Sequence, residues 1–183
     1  MTTANRPPPK VGERVEDPVH GYSVRFLQIG SDTLAAECEF TAEPHASGPP
    51  AHTHPKSHER FEVLSGAVML KTGRDSRVVE SGEKVSVPPG ASHTWHNHTA
   101  QPATVRVEMD PGLTFAAFLD EWYELAREGR RNSKGDLGLL HTAVIFYPHI
   151  ENGLMGLPGI PLGIQLPLMR TLGWLGKRLG VGN

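Results

Sequence analysis

Short runs of apolar and β-branched residues, separated by turn-forming residues, fill the first 110 positions of the chain. In the last of these runs Val105 and Val107 alternate with Arg106 and Glu108, the period of a strand with one buried face. Many short strands at close intervals predict an all-β sandwich or barrel. The predicted strands cover residues 22–29, 33–40, 61–64, 68–72, 77–80, 84–87, 93–98 and 103–109.

A helical period begins after Asp110-Pro111-Gly112. Large apolar residues then recur at three- and four-residue spacing: Phe115, Phe118, Leu119, Trp122 and Leu125. Two further helices are predicted over about 137–146 and 165–179, on either side of a stretch rich in glycine and proline. We therefore predict a flexible arm over 1–10, one β-barrel over 11–111 and a helical extension over 112–183.

Composition and charge narrow the class of protein. The 183 residues include 18 Lys and Arg against 20 Asp and Glu, giving a formal net charge of -2, so a nucleic-acid partner is not expected. The single cysteine, Cys38, allows no intrachain disulfide. Proline and glycine interrupt the most apolar region, 154–179, so no membrane span is expected. Without a leader-like start, we predict a cytoplasmic protein.

The chain is unusually rich in histidine, and most of its histidines fall in two clusters. The first cluster contains a pair of histidines two positions apart. In an extended chain His52 and His54 point to the same face. Continuing the alternation places Glu59 on the inward face with Phe61 and Val63. A buried carboxylate is costly unless a cation or hydrogen bonds hold it, and a metal ion would supply that cation.

The second cluster follows a turn at Pro88-Pro89-Gly90. His93 and Trp95 share one face of the next strand with Asn97, while His96 and His98 take the other face. Three histidines and one glutamate from two strand pairs would then converge, which is a suitable donor set for a mononuclear transition metal. The remaining histidines are predicted to be surface or hydrogen-bonded residues, and Asn97 a hydrogen-bond anchor.

At these residues the sequence resembles the cupin superfamily. The spacing Gly82-x5-Pro88-x-Gly90-x2-His93-x3-Asn97 resembles the second cupin motif, and His52-x-His54-x4-Glu59-x6-Gly66 resembles the first. One departure concerns the glycine expected about six positions before the first histidine. Here it is Gly48, only four positions before.

The resemblance implies a mainly β fold, a single cupin jelly-roll β-barrel (double-stranded β-helix) followed by C-terminal α-helices. It also implies that His52, His54, Glu59 and His93 bind one divalent transition metal per chain: Fe, Mn, Ni, Zn, Co or Cu.

Three functions are compatible with such a site. The first is a mononuclear-metal dioxygenase, quercetinase-like, acting on a small enol or phenol-like substrate, with Glu59 as both ligand and catalytic proton shuttle. The second is a non-catalytic small-molecule-binding or sensing cupin with a structural metal. The third is a sugar or keto-acid isomerase. The partners expected are a small molecule and a second copy of the chain in a homodimer, and the helices either gate the barrel or lie outside it.

Overall fold

A computed structural model describes residues 8–130 and 137–181. The predicted β-then-α order is confirmed. The nine strands of the described residues are β1 (Arg14–Asp17), β2 (Tyr22–Gln28), β3 (Ala36–Ala42), β4 (His58–Ser65), β5 (Ala67–Thr72), β6 (Asp75–Glu80), β7 (Lys84–Val87), β8 (His93–His96) and β9 (Ala103–Asp110). The three helices are α1 (Phe115–Arg127), α2 (Leu139–Asn152) and α3 (Leu162–Arg178).

The strands form two antiparallel sheets, as expected of a jelly roll. The larger has the order β1-β2-β3-β9-β4-β7, and the smaller has the order β6-β5-β8. Trp95 on β8 joins them, because its ring makes edge contacts with the rings of Tyr22, Phe40 and Phe61 from the larger sheet at centroid distances of 5.1, 5.7 and 6.2 Å. The alternating burial of β9 confirms the predicted face.

Several element boundaries differ from the prediction for local reasons. β1 was missed because it has only four residues, and two of them, Arg14 and Glu16, are exposed. β4 begins at His58 rather than at residue 61, which places Glu59 within the strand. β8 ends at His96, because the Asn97 side chain donates to the loop carbonyls of Glu43 and Gln101.

The helices of the extension pack on one another and on the barrel. α2 continues through Pro148 and ends where Gly153 takes a positive φ of 91°. α3 approaches α2 closely, since a Cβ at Gly176 would lie 2.7 Å from the Val144 side chain. Within the described residues, none of these helices combines the length and apolarity needed to cross a bilayer.

The segment between α2 and α3, residues 153–161, is called the connector below. It is joined to the barrel beside the first histidine pair. The Thr53 and Gly156 N–H groups each donate to the other residue's carbonyl, at 3.0 and 2.9 Å. Two backbone hydrogen bonds therefore join the extension to the segment that precedes β4 and contains Thr53.

Candidate metal centre

Three parts of the barrel bring the candidate ligands together. Glu59 is the second residue of β4, and His93 is the first residue of β8. His52 lies opposite His93 in an isolated antiparallel bridge, with backbone N–H to carbonyl distances of 3.1 and 2.9 Å. His54 follows two residues later and is buried, as are Glu59 and His93, whereas His52 is half-buried.

All four predicted side chains converge, and one ligand atom from each lies within 4.8 Å of the others. His52 Nε2 is 3.1 Å from His54 Nε2. Glu59 Oε2 is 2.5 Å from His93 Nε2 and 3.5 Å from His54 Nε2. The distances are those of side chains that surround one small volume.

The other ring nitrogen of each histidine is held by a backbone carbonyl. Nδ1 of His52 lies 2.9 Å from the Pro50 oxygen, Nδ1 of His93 lies 3.1 Å from the Ala91 oxygen, and Nδ1 of His54 lies 2.5 Å from the Leu154 oxygen. Because a carbonyl only accepts, Nδ1 must carry the proton in each neutral ring. The Nε2 lone pairs then face the shared volume, as in metal-binding histidines whose other nitrogen is fixed by an acceptor.

The electrostatics of the cluster fit a bound cation. Glu59 Oε2 and His93 Nε2 are buried without a hydrogen-bond partner, although they are only 2.5 Å apart. Two lone-pair atoms at this distance repel each other unless a proton or a metal ion lies between them. A transition metal satisfies all four atoms, because imidazole and carboxylate are among its preferred ligands.

The pKa values follow from the same crowding. Burial lowers the pKa of His52 to about 3, helped by His54 and His93, and burial also lowers the pKa of His54. Burial alone would raise the pKa of Glu59, but the three histidines lower it to about 2. Burial opposes the charged form of His93, yet the Glu59 carboxylate raises its pKa. Three of the four groups thus favour the protonation state that binds a metal.

An apolar cavity of about 150 Å³ adjoins the cluster and is lined by His52, His54 and Glu59. Its barrel side includes Phe40 and Trp95. Its other side comes from the extension, which contributes Phe115, Phe118, Leu119, Trp122, Tyr123, Phe146, Met155 and Leu157. The helices and the connector therefore form one wall of the cavity. Of the two predicted placements of the extension, the structure has the one beside the barrel opening rather than the one on the outside of the barrel.

The other candidate residues occupy the positions expected of structural groups. Asn97 is buried and holds loop carbonyls, as predicted. His58 and His98 are exposed, and His96 is half-buried on the face opposite His93. His149 is buried between Thr114 and Glu121, at 2.8 and 3.2 Å.

Two features of the site were not predicted from the sequence. The Leu154 carbonyl orients His54 from 100 residues away, and a backbone oxygen has no signature in the sequence. Asp17 and His20, which line the cavity and lie 2.9 Å apart, belong to the missed strand β1 and its turn. Neither contact follows from the cupin-like motifs.

The fold and the four-residue cluster define the class of protein, a jelly-roll protein of the cupin type. Residues 38–112 match the family model described as the cupin domain. Residues 38–112 therefore form a cupin domain, and the resemblance inferred from the motifs is confirmed.

Several known proteins are similar to it. Germin-like protein 5-1 of rice (Oryza sativa subsp. japonica) is 32% identical over 109 residues, covering 54% of this chain and 47% of that protein. This chain thus aligns with about half the length of that curated relative. Among solved structures, a sugar phosphate isomerase of the cupin superfamily from Silicibacter pomeroyi is 23% identical and covers 55% of this chain and 74% of that one, with a TM-score of 0.47. An RmlC-like cupin from Shewanella frigidimarina is 19% identical and covers 54% and 83%, with a TM-score of 0.47.

Proposed function

We propose that the protein is a metal-dependent cupin enzyme, a dioxygenase acting on a small enol or phenol-like molecule. One observation carries the proposal: three histidine Nε2 atoms and a buried glutamate oxygen converge at the wall of an apolar cavity. His52, His54, Glu59 and His93 hold one divalent ion, from among Fe, Mn, Ni, Zn, Co and Cu. The ion supplies Lewis acidity and, if it is redox-active, electron transfer to dioxygen.

The cavity supports an uncharged, flat substrate rather than a sugar phosphate. Aromatic side chains dominate its walls, among them Phe118, Trp122 and Phe146. None of the described residues that line it is lysine or arginine, and these are the side chains that recognise phosphate groups. A ring system packs against such walls, and its oxygen atoms then face the metal ligands.

Glu59 has two proposed roles, as a ligand and as a catalytic proton carrier. Its pKa of about 2 keeps the carboxylate ionised at neutral pH, which suits the first role. In the second role the Glu59 carboxylate accepts the hydroxyl proton of the bound enol or phenol, whose acidity a bound metal ion would raise. Glu59→Gln tests both, since the amide retains the size of the side chain and cannot carry the proton. We expect it to weaken metal binding and to abolish turnover.

Metal content is the first test. Elemental analysis of the purified protein is expected to give about one transition-metal ion per chain, and His93→Ala is expected to lose it. His96→Ala is the matched control, because it removes a histidine from the same strand but from the opposite face. Equal metal content in the two variants would contradict the ligand assignment.

Oxygen consumption is the second test. Protein loaded separately with each candidate metal is placed in an oxygen electrode with a panel of flavonols, catechols and enolic keto acids. We expect consumption with at least one redox-active metal, and none with Zn or with His93→Ala. Stoichiometric metal with no oxygen uptake and no product would instead favour the non-catalytic binding protein. Interconversion of a sugar or keto acid without oxygen uptake would favour the isomerase.

The predicted homodimer and cytoplasmic location belong to the same proposal. Light scattering after size-exclusion chromatography tests the first, with a mass of twice 19.9 kDa expected. Fluorescence microscopy of the tagged chain in cells tests the second.

A further inference from the structure

The connector between α2 and α3 is directly involved in the geometry of the metal centre. Its Leu154 carbonyl accepts the Nδ1–H of His54 at 2.5 Å, in a buried position. Two residues later Gly156 pairs with Thr53, the neighbour of His54, through two backbone hydrogen bonds. The orientation of one ligand therefore depends on the conformation of the connector.

One side chain holds the connector in that conformation. Gln165, in the first turn of α3, is 2% exposed. Its Oε1 accepts the Leu157 N–H at 2.8 Å, and its Nε2 donates to the Leu157 carbonyl at 2.9 Å and to the Ile160 carbonyl. These contacts satisfy three backbone groups of a segment that contains three glycines and two prolines.

We propose that Gln165 is a positioning residue of the metal centre: it fixes the connector so that the Leu154 carbonyl selects the metal-binding tautomer of His54. This inference rests on the proposed function, because it assumes that His54 Nε2 is a metal ligand. Gln165 itself acts only through the backbone of residues 154–157.

The Leu154 carbonyl is needed to keep the proton of His54 on Nδ1, because a second acceptor lies near Nε2 of the same ring. His54 Nε2 lies 3.5 Å from Glu59 Oε2. If the Leu154 carbonyl moves away, the ring gains a hydrogen bond by carrying its proton on Nε2 and donating it to that carboxylate. Such a ring cannot bind a metal at Nε2 until the proton leaves. A change in the His54 tautomer would thus show that Gln165 orients this ring, whereas a residue that only stabilises the fold would leave the tautomer unchanged.

The test uses the full chain and the variant Gln165→Met, which keeps the length of the side chain and removes its hydrogen bonds. In chelator-treated wild type at pH 8, imidazole nitrogen NMR is expected to show His54 and His52 protonated on Nδ1. In Gln165→Met we expect His54 to shift toward Nε2 protonation while His52 stays unchanged. His52 is an internal control, because its acceptor, the Pro50 carbonyl, lies outside the connector.

Zinc affinity, measured by competition with a chromophoric chelator, is expected to fall roughly 10- to 100-fold in Gln165→Met, as is typical when the partner that orients a ligand is disturbed. Gln165→Glu is the second variant, and it should act in the same direction because an ionised carboxylate cannot donate to the two carbonyls. Met169→Ala is the matched control. It truncates a buried residue one turn later in α3 and should change neither readout.

An unchanged His54 tautomer in both Gln165 variants would overturn the inference, as would an equal change in Met169→Ala. Unchanged zinc affinity in a variant with a shifted tautomer would also overturn it. If wild type binds no zinc or other transition metal, the proposed function fails. The tautomer of His54 in the metal-free protein then still decides whether Gln165 positions that ring.

Discussion

Gly48 is the position at which a single added methyl group should destabilise the surroundings of the candidate metal centre most. An alanine Cβ there would lie 1.5 Å from the Trp95 carbonyl oxygen and 2.6 Å from its carbon. Real Cβ contacts essentially never fall below 3.0 Å, so the two segments must separate by about 1.5 Å. Both sides of the contact are backbone, and no side-chain rotation can relieve it.

The expected cost follows from that clash. Overpacking of a well-packed site costs about 1–3 kcal/mol. We expect Gly48→Ala to cost about 3 kcal/mol, the upper end of this range, because no side-chain rotation can relieve the clash. For a protein of this size each kcal/mol lowers the melting temperature by about 2–4 °C, so Gly48→Ala should melt roughly 6–12 °C below wild type. Zinc affinity should fall as well, because Pro50, two residues on, supplies the carbonyl that orients His52.

Thermal and urea unfolding followed by circular dichroism measure the effect. Gly163→Ala is the control, since a Cβ at this helical position meets nothing within 4 Å and alanine favours the helix by up to about 1 kcal/mol. If the free energy of unfolding of Gly48→Ala lies within about 0.5 kcal/mol of the wild-type value, the predicted clash between Gly48 and the Trp95 carbonyl is wrong.

Three further predictions concern stability and reactivity. Asn97→Ala should lower the free energy of unfolding by about 3 to 4 kcal/mol, because the buried amide makes five hydrogen-bond contacts, three of which share its two N–H groups, and each full bond is worth roughly 1 kcal/mol; a loss under 1 kcal/mol in urea unfolding would contradict this. Burial raises the pKa of the Cys38 thiol to about 12, so a disulfide reagent at pH 8 should label it only after unfolding, and rapid labelling of the native protein would refute the burial. The pKa of His52 is about 3 in the folded chain against 6.5 ordinarily, so its contribution to stability is present above pH 6.5 and is lost as pH falls toward 3. Chelator-treated wild type should therefore lose stability more steeply over that range than His52→Gln, and equal slopes would refute the shift.

The four ligand candidates could be predicted because each depends on local spacing. His52 and His54 share a face through two-residue alternation, and Glu59 and His93 fall at fixed distances within the two motifs. The structure brings all four together. The same alternation correctly separated His93 from His96.

Contacts between distant segments could not be predicted in this way. In the motif Gly48 differs only in its spacing from the first histidine, whereas in the structure it is the point at which the backbone passes the Trp95 carbonyl. The pairing of Thr53 with Gly156, 103 residues apart, depends on how the extension packs. Hydrophobic periodicity indicates that a helix has an apolar face, but it does not say which surface covers that face.

The extension changes how much the family can say about this protein's substrate. The cupin match covers residues 38–112 and contains all four ligand candidates. The aromatic wall formed by Phe118, Trp122 and Phe146, and the carbonyl that orients His54, both lie beyond it. The family match therefore bears on the candidate metal centre and not on the cavity above it. Since no lysine or arginine is among the described residues that line the cavity, the search for a substrate should begin with uncharged aromatic molecules, and phosphorylated sugars serve as the negative control.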